Sequence, residues 1–241
     1  MVRTAVIMVW TVLATVVCGS ICIFFGYFSK TGNLPHLVAR IWANSILVVS
    51  GIRVTVNGVE NLIADRPVIY MVNHQSNFDI PVLLGRLPVQ FRWLAKAELF
   101  RIPILGRGMR GSGYISIDRS NRKSAMRSLV RAAETIRGGT SVLIFPEGTR
   151  SLDGNLQPFK KGGFVLTVDA GVPVIPMIIC GTWPIMPKNS WMIRPQPVTL
   201  HILPPVDTAD FNRKTKDDLM DKVYRQISTA IEQQRGKNAC S

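Results

Sequence analysis

The sequence predicts an α/β layer fold that follows an apolar N-terminal segment. Short apolar runs rich in branched side chains alternate with longer segments whose apolar residues recur every three or four positions. This is the pattern of strands that alternate with helices. The first 50 residues differ, because they contain only three Lys or Arg and no Asp or Glu. The length of 241 residues suits one sizeable core of this class.

The N-terminal segment has the composition of a membrane anchor. Residues 5–28 contain no charged side chain, and 24 helical residues suffice to cross a hydrocarbon layer of about 30 Å. A second apolar stretch, residues 34–51, has Arg40 as its one Lys or Arg. A secretory signal is disfavoured, because the apolar region is too long and no A-x-A-like cleavage site follows. We therefore predict that residues 1–50 anchor the chain, as one span or as a two-helix wedge in one leaflet.

Basic residues around the anchor predict its orientation. Arg3 precedes the long apolar run, and three more basic residues follow it: Lys30, Arg40 and Arg53. Cytoplasmic flanks of membrane spans have such an excess of Lys and Arg. We expect the remaining residues, 51–241, to form the main body of the protein on the cytoplasmic side of the membrane.

The body contains the alternating pattern of strands and helices. Its first strand-like segment reaches Asn57–Gly58, a pair that favours a hairpin turn. The later apolar runs predict strands: PVIYMV, GYISIDR, SVLIF, VPVIPMII and PVTLHILPPV.

Three segments of the body have the pattern of helices. A helix is predicted after the first buried strand, with Pro81 in its first turn. A terminal amphipathic helix is predicted over residues 215–234. Between them, residues 120–139 predict a helix with a basic outer face and five apolar residues on its inner face: Met126, Leu129, Val130, Ala133 and Ile136.

The charge balance indicates a polyanionic partner. Lys plus Arg outnumber Asp plus Glu by 29 to 15, which gives a formal net charge of +14. Such a surface attracts nucleic acid, anionic lipid or phosphorylated substrates. We expect no nucleic-acid partner, since no nucleic-acid module is recognisable and the apolar anchor would be unexplained. The cysteines show neither a zinc spacing nor a disulfide framework, so we expect free thiols and no metal: Cys18, Cys22, Cys180 and Cys240.

The loop NHQSNFD, which follows the apolar run PVIYMV, contains His74 and Asp79. A histidine accepts a proton well near neutral pH when a partner holds one ring nitrogen and leaves the other free. A tight loop that starts a helix allows a residue five positions on to fold back onto the ring. The spacing alone is not specific, because a loop histidine that caps a helix is an equally good interpretation.

A second loop, FPEGTRS, also leaves an apolar strand. The fork of donors on Arg150 suits a phosphate, and Gly148 lets backbone N–H groups approach an anion. Alone, such a stretch is more often a surface turn. Two polar loops at the ends of two buried strands favour a site.

Together these loops resemble the glycerolipid acyltransferase family, which has an N-H-x-x-x-x-D block and an F-P-E-G-T-R block. The remaining family elements follow in order as KAEL (96–99), GYISIDR (113–119) and VPVIP (172–176), with Val174 in place of the family's isoleucine. The resemblance covers roughly residues 50–205 and extends to the apolar N-terminal helices. Within the family it is closest to the bacterial 1-acyl-sn-glycerol-3-phosphate acyltransferases. It implies a mixed sheet flanked by helices.

The resemblance also implies a reaction. A fatty acyl group passes from an acyl thioester, either acyl-CoA or acyl-carrier protein, to the free hydroxyl of lysophosphatidic acid in the bilayer and gives phosphatidic acid. His74 is the expected base and Asp79 its orienting group. Six residues are expected to bind substrate: Lys96, Arg119, Glu147, Gly148, Thr149 and Arg150. No cofactor is expected. The alternative acceptor is another lysolipid, such as a lyso-ornithine lipid or a lysophospholipid with a head group.

Overall fold

The computed structural model describes residues 1–118 and 121–236, the side chain of Arg122 excepted. The helices of this part are α1 (Val2–Phe28), α2 (Asn33–Ser50), α3 (Asp79–Arg86), α4 (Leu105–Gly111), α5 (Arg122–Arg137), α6 (Lys161–Ala170) and α7 (Lys216–Arg235). The strands are β1 (Val54–Asn57), β2 (Ile69–Val72), β3 (Arg92–Lys96), β4 (Ile115–Ile117), β5 (Val142–Ile144), β6 (Val174–Cys180) and β7 (Val198–Ile202). Short 3-10 helices cover Val59–Asn61 and Ala97–Arg101.

The strands form one mixed sheet in the order β1-β7-β6-β2-β5-β3-β4. From β6 to β4 all neighbours are parallel. β7 is antiparallel to β6, and β1 is parallel to β7. The α/β class with a mixed sheet and flanking helices is therefore confirmed. Because five strands share one direction, their carboxyl ends meet at the same edge of the sheet.

Helices cover both faces of this sheet. In β2, Tyr70 and Val72 belong to a core with α2 and α3, whereas Ile69 and Met71 belong to a core with α5, α6 and α7. Side chains of a strand alternate between faces, so one short strand supplies both cores. The N-terminal helices and the basic helix α5 thus lie on opposite faces of the sheet.

Helices α1 and α2 form an antiparallel pair. The indole N–H of Trp42 donates to Thr15 Oγ1 at 3.0 Å, and the Arg3 guanidinium donates to the carbonyl of Ser50 at the end of α2, also at 3.0 Å. Among the described helices, α1 alone is long and apolar enough to cross a membrane. Large apolar side chains along it are exposed, including Val9, Val12, Leu13, Val17, Phe24 and Tyr27.

Three expectations about local structure are wrong. Asn57–Gly58 forms no hairpin, because β1 pairs with the distant β7 and Gly58 begins a 3-10 turn at φ 78°. A Cβ on Gly58 would lie 2.1 Å from the carbonyl oxygen of Ile202, so glycine is required there. Met126 and Val130 do not face the core, since they are 37% and 40% exposed.

The third concerns the cysteines. Cys18 and Cys22 are free, but Cys180 is disulfide-bonded. Cys240 lies outside the described residues.

The remaining helix predictions are confirmed. Pro81 lies in the first turn of α3. The inward residues of α7 are all buried, namely Leu219, Val223, Ile227 and Ile231.

Candidate active site

The loops that contain the predicted site residues leave the sheet at one edge. β2 is followed by His74, and its neighbour β5 is followed by residues 147–150. Lys96 is the last residue of β3 and pairs with Ile117 at the end of β4. Carboxyl ends of parallel strands are where ligand sites of open α/β sheets form.

His74 and Asp79 are in direct contact. The Nδ1 atom of His74 lies 2.7 Å from Oδ2 of Asp79. The Asp79 side chain is fully buried, whereas that of His74 is 16% exposed. The ring therefore has one side held by a buried carboxylate and another side that reaches the surface.

Asp79 also shapes the turn in which His74 lies. Its Oδ2 accepts hydrogen bonds from the backbone N–H groups of Gln75 and Ser76, at 2.7 and 2.9 Å. The aspartate is the first residue of α3, where the helix dipole favours a negative charge. One carboxylate oxygen thus fixes both the loop and the imidazole, which explains why a spacing of five residues works.

Neighbouring side chains tie this turn to the rest of the sheet edge. The amide of Asn73 both accepts from and donates to the backbone of Ile179 in β6. Gln75 donates to the carbonyl of Gly154, in the loop that follows β5. The hydroxyl of Ser76 donates to the carbonyl of Met186, in the loop that follows β6. Hydrogen bonds to β6, to the loop after β5 and to the loop after β6 therefore hold this turn in place.

The imidazole of His74 is stacked on the ring of Phe145. The two ring centroids are 3.7 Å apart and the planes differ by 10°. Trp93 also stacks on Phe145, with ring centroids 5.4 Å apart. Among the described residues no hydrogen bond reaches Nε2 of His74. This nitrogen is therefore the one available to a substrate hydroxyl.

Glu147 joins the two loops. One of its carboxylate oxygens accepts the backbone N–H of His74 at 2.6 Å, and the other accepts the N–H of Gln157 at 2.9 Å. The N–H of Ser151 in turn donates to the carbonyl of His74 at 2.8 Å. Glu147 is only 1% exposed. Its position indicates a role in holding the His74 loop rather than in touching a lipid.

The environment of Glu147 alters its protonation. Burial raises the pKa of this carboxyl to about 7, although the two backbone N–H donors favour the charged form. The folded state therefore binds the Glu147 proton more tightly than the unfolded chain does. Stability from this group is fully present below the unfolded pKa and is lost as the pH rises towards 7.

This difference makes a measurable prediction. The free energy of unfolding of the wild-type protein should decrease between about pH 4.5 and pH 7, by roughly 3 kcal/mol from Glu147. Glu147→Gln should lack this contribution, because an amide does not titrate there. Unfolding in detergent at pH 5 and pH 8 measures it, with the exposed Glu134→Gln as the matched control. Equal pH dependence in wild type and Glu147→Gln would contradict the assignment.

The cationic side of the site contains a residue that the sequence did not indicate. The Nζ atom of Lys188 donates to the Thr149 hydroxyl at 3.1 Å. Lys188 follows β6, whose carboxyl end lies at the same edge. Arg150, next to Thr149, is partly exposed and forms no hydrogen bond or ion pair within residues 1–118 and 121–236. The signal available in the sequence was Lys188 itself, a lysine in the loop that follows a third buried strand.

The other predicted cations are placed less directly. Lys96 is exposed at the end of β3, and no hydrogen bond or ion pair links its side chain to another described residue. Arg119 lies outside the described residues. Gly148 has φ 74° and donates its N–H to the carbonyl of Phe145, which closes the FPEGTRS turn. The described residues include no group of His, Cys, Asp or Glu that could hold a metal ion.

Comparisons with known proteins show that the sequence is similar to those of acyltransferases. A protein-family model described as Acyltransferase matches residues 53–180. The 1-acyl-sn-glycerol-3-phosphate acyltransferase of Borreliella burgdorferi is 30% identical over 200 residues, which cover 83% of this chain and 80% of that protein. The chloroplastic 1-acyl-sn-glycerol-3-phosphate acyltransferase BAT2 of Brassica napus is 41% identical over 156 residues, or 64% of this chain. That match spans only 45% of the Brassica protein.

A solved structure has the same fold. The crystal structure of the 1-acyl-sn-glycerophosphate (LPA) acyltransferase PlsC from Thermotoga maritima superimposes with a TM-score of 0.82 at 29% identity. The superposition covers 97% of this chain and 95% of that one. The similarity therefore includes the N-terminal helices as well as the sheet.

Proposed function

The chain belongs to the acyltransferase family, and from this premise we propose that it acylates 1-acyl-sn-glycerol 3-phosphate to give phosphatidic acid. The donor is an acyl thioester, either acyl-CoA or acyl-carrier protein. The observation that supports this proposal best is the His74–Asp79 pair, with Nε2 of His74 open at the sheet edge beside the FPEGTRS loop.

The proposed chemistry starts with His74 as the base. Its Nε2 takes the proton of the glycerol hydroxyl while the oxygen attacks the thioester carbonyl. Asp79 accepts the Nδ1–H, which leaves Nε2 unprotonated beforehand and stabilises the imidazolium that forms. When the tetrahedral intermediate collapses, the C–S bond breaks and the imidazolium returns its proton to the thiolate. The products are the new ester and a free thiol.

Cations around this pair would hold the charged parts of the substrates. We assign the acceptor's phosphate to Arg150, whose guanidinium has the geometry for two phosphate oxygens. Lys188 is placed to assist, because its ammonium lies 3.1 Å from the adjacent Thr149 hydroxyl. Lys96 and Arg119 are further candidates, and Lys96 or nearby N–H groups would stabilise the oxyanion. Glu147 and Gly148 would then shape the loop rather than bind lipid.

A lipid acceptor requires access from the bilayer, and we propose that residues 1–50 provide the anchor. The exposed apolar side chains of α1 support this role. The loop after β6 adds Trp191, which is 74% exposed, and the N–H of Ile193 in this loop donates to Thr4 Oγ1 of α1 at 3.2 Å. Lys188 and Trp191 thus lie on one loop that joins the site to the anchor. We place the body on the cytoplasmic face of the inner membrane.

The proposal is tested by acyl transfer with the purified protein and a panel of lysolipids. Lysophosphatidic acid should be acylated at least about tenfold faster than lysophosphatidylcholine or a lyso-ornithine lipid, since cations at the site favour a bare phosphate. Both donor types are supplied in separate reactions. Activity on the zwitterionic lysolipids with none on lysophosphatidic acid would replace the proposed acceptor. No transfer from either donor would overturn the proposed reaction.

Arg150→Ala should mainly raise the KM for lysophosphatidic acid, by about 10- to 100-fold, with a small change in kcat. This follows if Arg150 binds the phosphate equally in the ground state and the transition state. Steady-state kinetics measure both constants, with Arg225→Ala on α7 as the matched control. A lower kcat at unchanged KM would contradict uniform phosphate binding.

A further inference from the structure

The outer face of α5 carries several positive charges, and no part of the proposed chemistry uses it. The helix contains five Lys or Arg and one carboxylate, Glu134. Lys123, Arg127 and Arg131 follow one another at intervals of four residues and form a stripe along the exposed side. None of these three cations forms an ion pair with a described carboxylate. The stripe is therefore an uncompensated positive surface.

Two apolar side chains lie beside this stripe. Met126 and Val130 are 37% and 40% exposed, although the helix pattern predicts them inward. With the three cations and Glu134 they form one continuous exposed face of the helix. Exposed apolar side chains surrounded by charge are the composition of a protein-binding surface, in which the apolar centre is buried and the charges form the rim. We call these six residues the α5 patch.

The position of the α5 patch separates it from the lipid surface. α5 packs on the sheet face opposite α1 and α2, whose exposed apolar residues mark the proposed anchor. A membrane that embeds the anchor would lie away from this patch. The first turn of α5, however, follows β4 and so begins at the edge where His74 lies. Further along, Gly162 at the start of α6 lies against Leu129.

From these observations we propose that the α5 patch docks an acidic carrier protein that presents the acyl group as a thioester. This inference rests on the proposed function and deepens it, because it selects one of the two donor classes. From Lys123 to Arg131 the stripe is about 12 Å long, which suits an acidic helix lying along α5. The patch adjoins the site edge, so a docked carrier can deliver its thioester carbonyl to the hydroxyl that His74 deprotonates. The carrier leaves with a free thiol.

The test compares two donors that have the same acyl chain. Charge reversal by Arg127→Glu with Arg131→Glu should raise the KM for acyl-carrier protein about tenfold or more, while kcat/KM with acyl-CoA stays within about twofold. The wild-type kcat/KM for the carrier protein should also fall more steeply than that for acyl-CoA when salt is raised from about 50 to about 300 mM, because added salt screens the contacts along the stripe. Lys222→Glu with Arg225→Glu on α7 is the matched control, because it changes the net charge equally.

Each other outcome has a defined meaning. Equal losses with both donors, or no loss with either, would overturn the docking assignment. Turnover of acyl-CoA with no use of the carrier thioester would overturn it as well, while the proposed acylation of lysophosphatidic acid would stand. If the double variant instead loses binding to vesicles of anionic phospholipid, the patch is a membrane surface and the proposal is wrong. If the wild-type protein transfers an acyl group from neither donor, the proposed function itself is wrong.

Discussion

His74→Ala is expected to abolish acyl transfer, lowering kcat/KM by about 10³-fold or more while the protein stays folded. The variant removes the group that takes the proton from the acceptor hydroxyl, and no other described side chain hydrogen-bonds to Asp79 in its place. The His74 ring is partly exposed and stacks on Phe145, so its removal leaves a surface depression rather than a deep cavity. Initial rates over a range of lysophosphatidic acid concentrations, at a fixed concentration of acyl donor, measure the effect.

The control for this prediction is His201→Ala. His201 lies in β7, which β6 separates from β2, and its Nδ1 atom contacts the Asn57 side chain of β1 rather than any residue of the candidate site. This variant should keep turnover within about twofold of wild type. Thermal unfolding in detergent checks that both variants are folded. If His74→Ala retains wild-type turnover, His74 is not the base and the proposed chemistry is wrong.

Asp79→Asn is expected to lower kcat by about 10²- to 10⁴-fold and also to destabilise the fold. Oδ2 of Asp79 accepts three N–H donors, whereas its buried Oδ1 has no hydrogen-bond partner among the described residues. An asparagine must point its NH₂ group either at those donors or into the unpartnered position. Each orientation leaves a buried donor unsatisfied, at about 1–3 kcal/mol. The imidazolium would also lose its neutralising carboxylate.

Kinetics and unfolding together check this prediction. Asp221→Asn, on the exposed side of α7, is the matched control and should change neither kcat nor the unfolding temperature. Asp79→Asn should lower both. Activity within about twofold of wild type would show that the carboxylate charge does not contribute to the reaction.

Much of the candidate site was predictable because its central contact is local. His74 and Asp79 are five residues apart, and a turn that leads into a helix brings such residues together whatever the rest of the fold. The turn at Gly148 is local as well. Glycine adopts a positive φ readily, and Gly148 has φ 74° in the structure. The donors and acceptors in these loops are compatible with proton transfer and anion binding, and the ordered family elements favour that interpretation before any strand order is known.

The residues that were missed depend on strand order. Lys188 meets Thr149 only because β6 and β5 are both neighbours of β2, 39 residues of chain separating the two side chains. Glu147 was expected to bind substrate, and what the sequence did not show was its partner. The parallel pairing of β2 with β5 brings its carboxylate to the backbone N–H of His74. Composition and spacing describe a side chain's chemistry and not the partner that reaches it.

The sequence by itself determined the α/β class, the apolar N-terminal segment and the His74–Asp79 pair, because periodicity, hydropathy and short turns are properties of neighbouring residues. Only the tertiary structure decided that β1 pairs with β7, that the Glu147 carboxylate accepts hydrogen bonds from backbone N–H groups, and that Met126 and Val130 face outwards. These features arise from contacts between segments far apart in the chain. Such contacts are selected by the packing of the whole sheet against its helices, for which no local pattern exists.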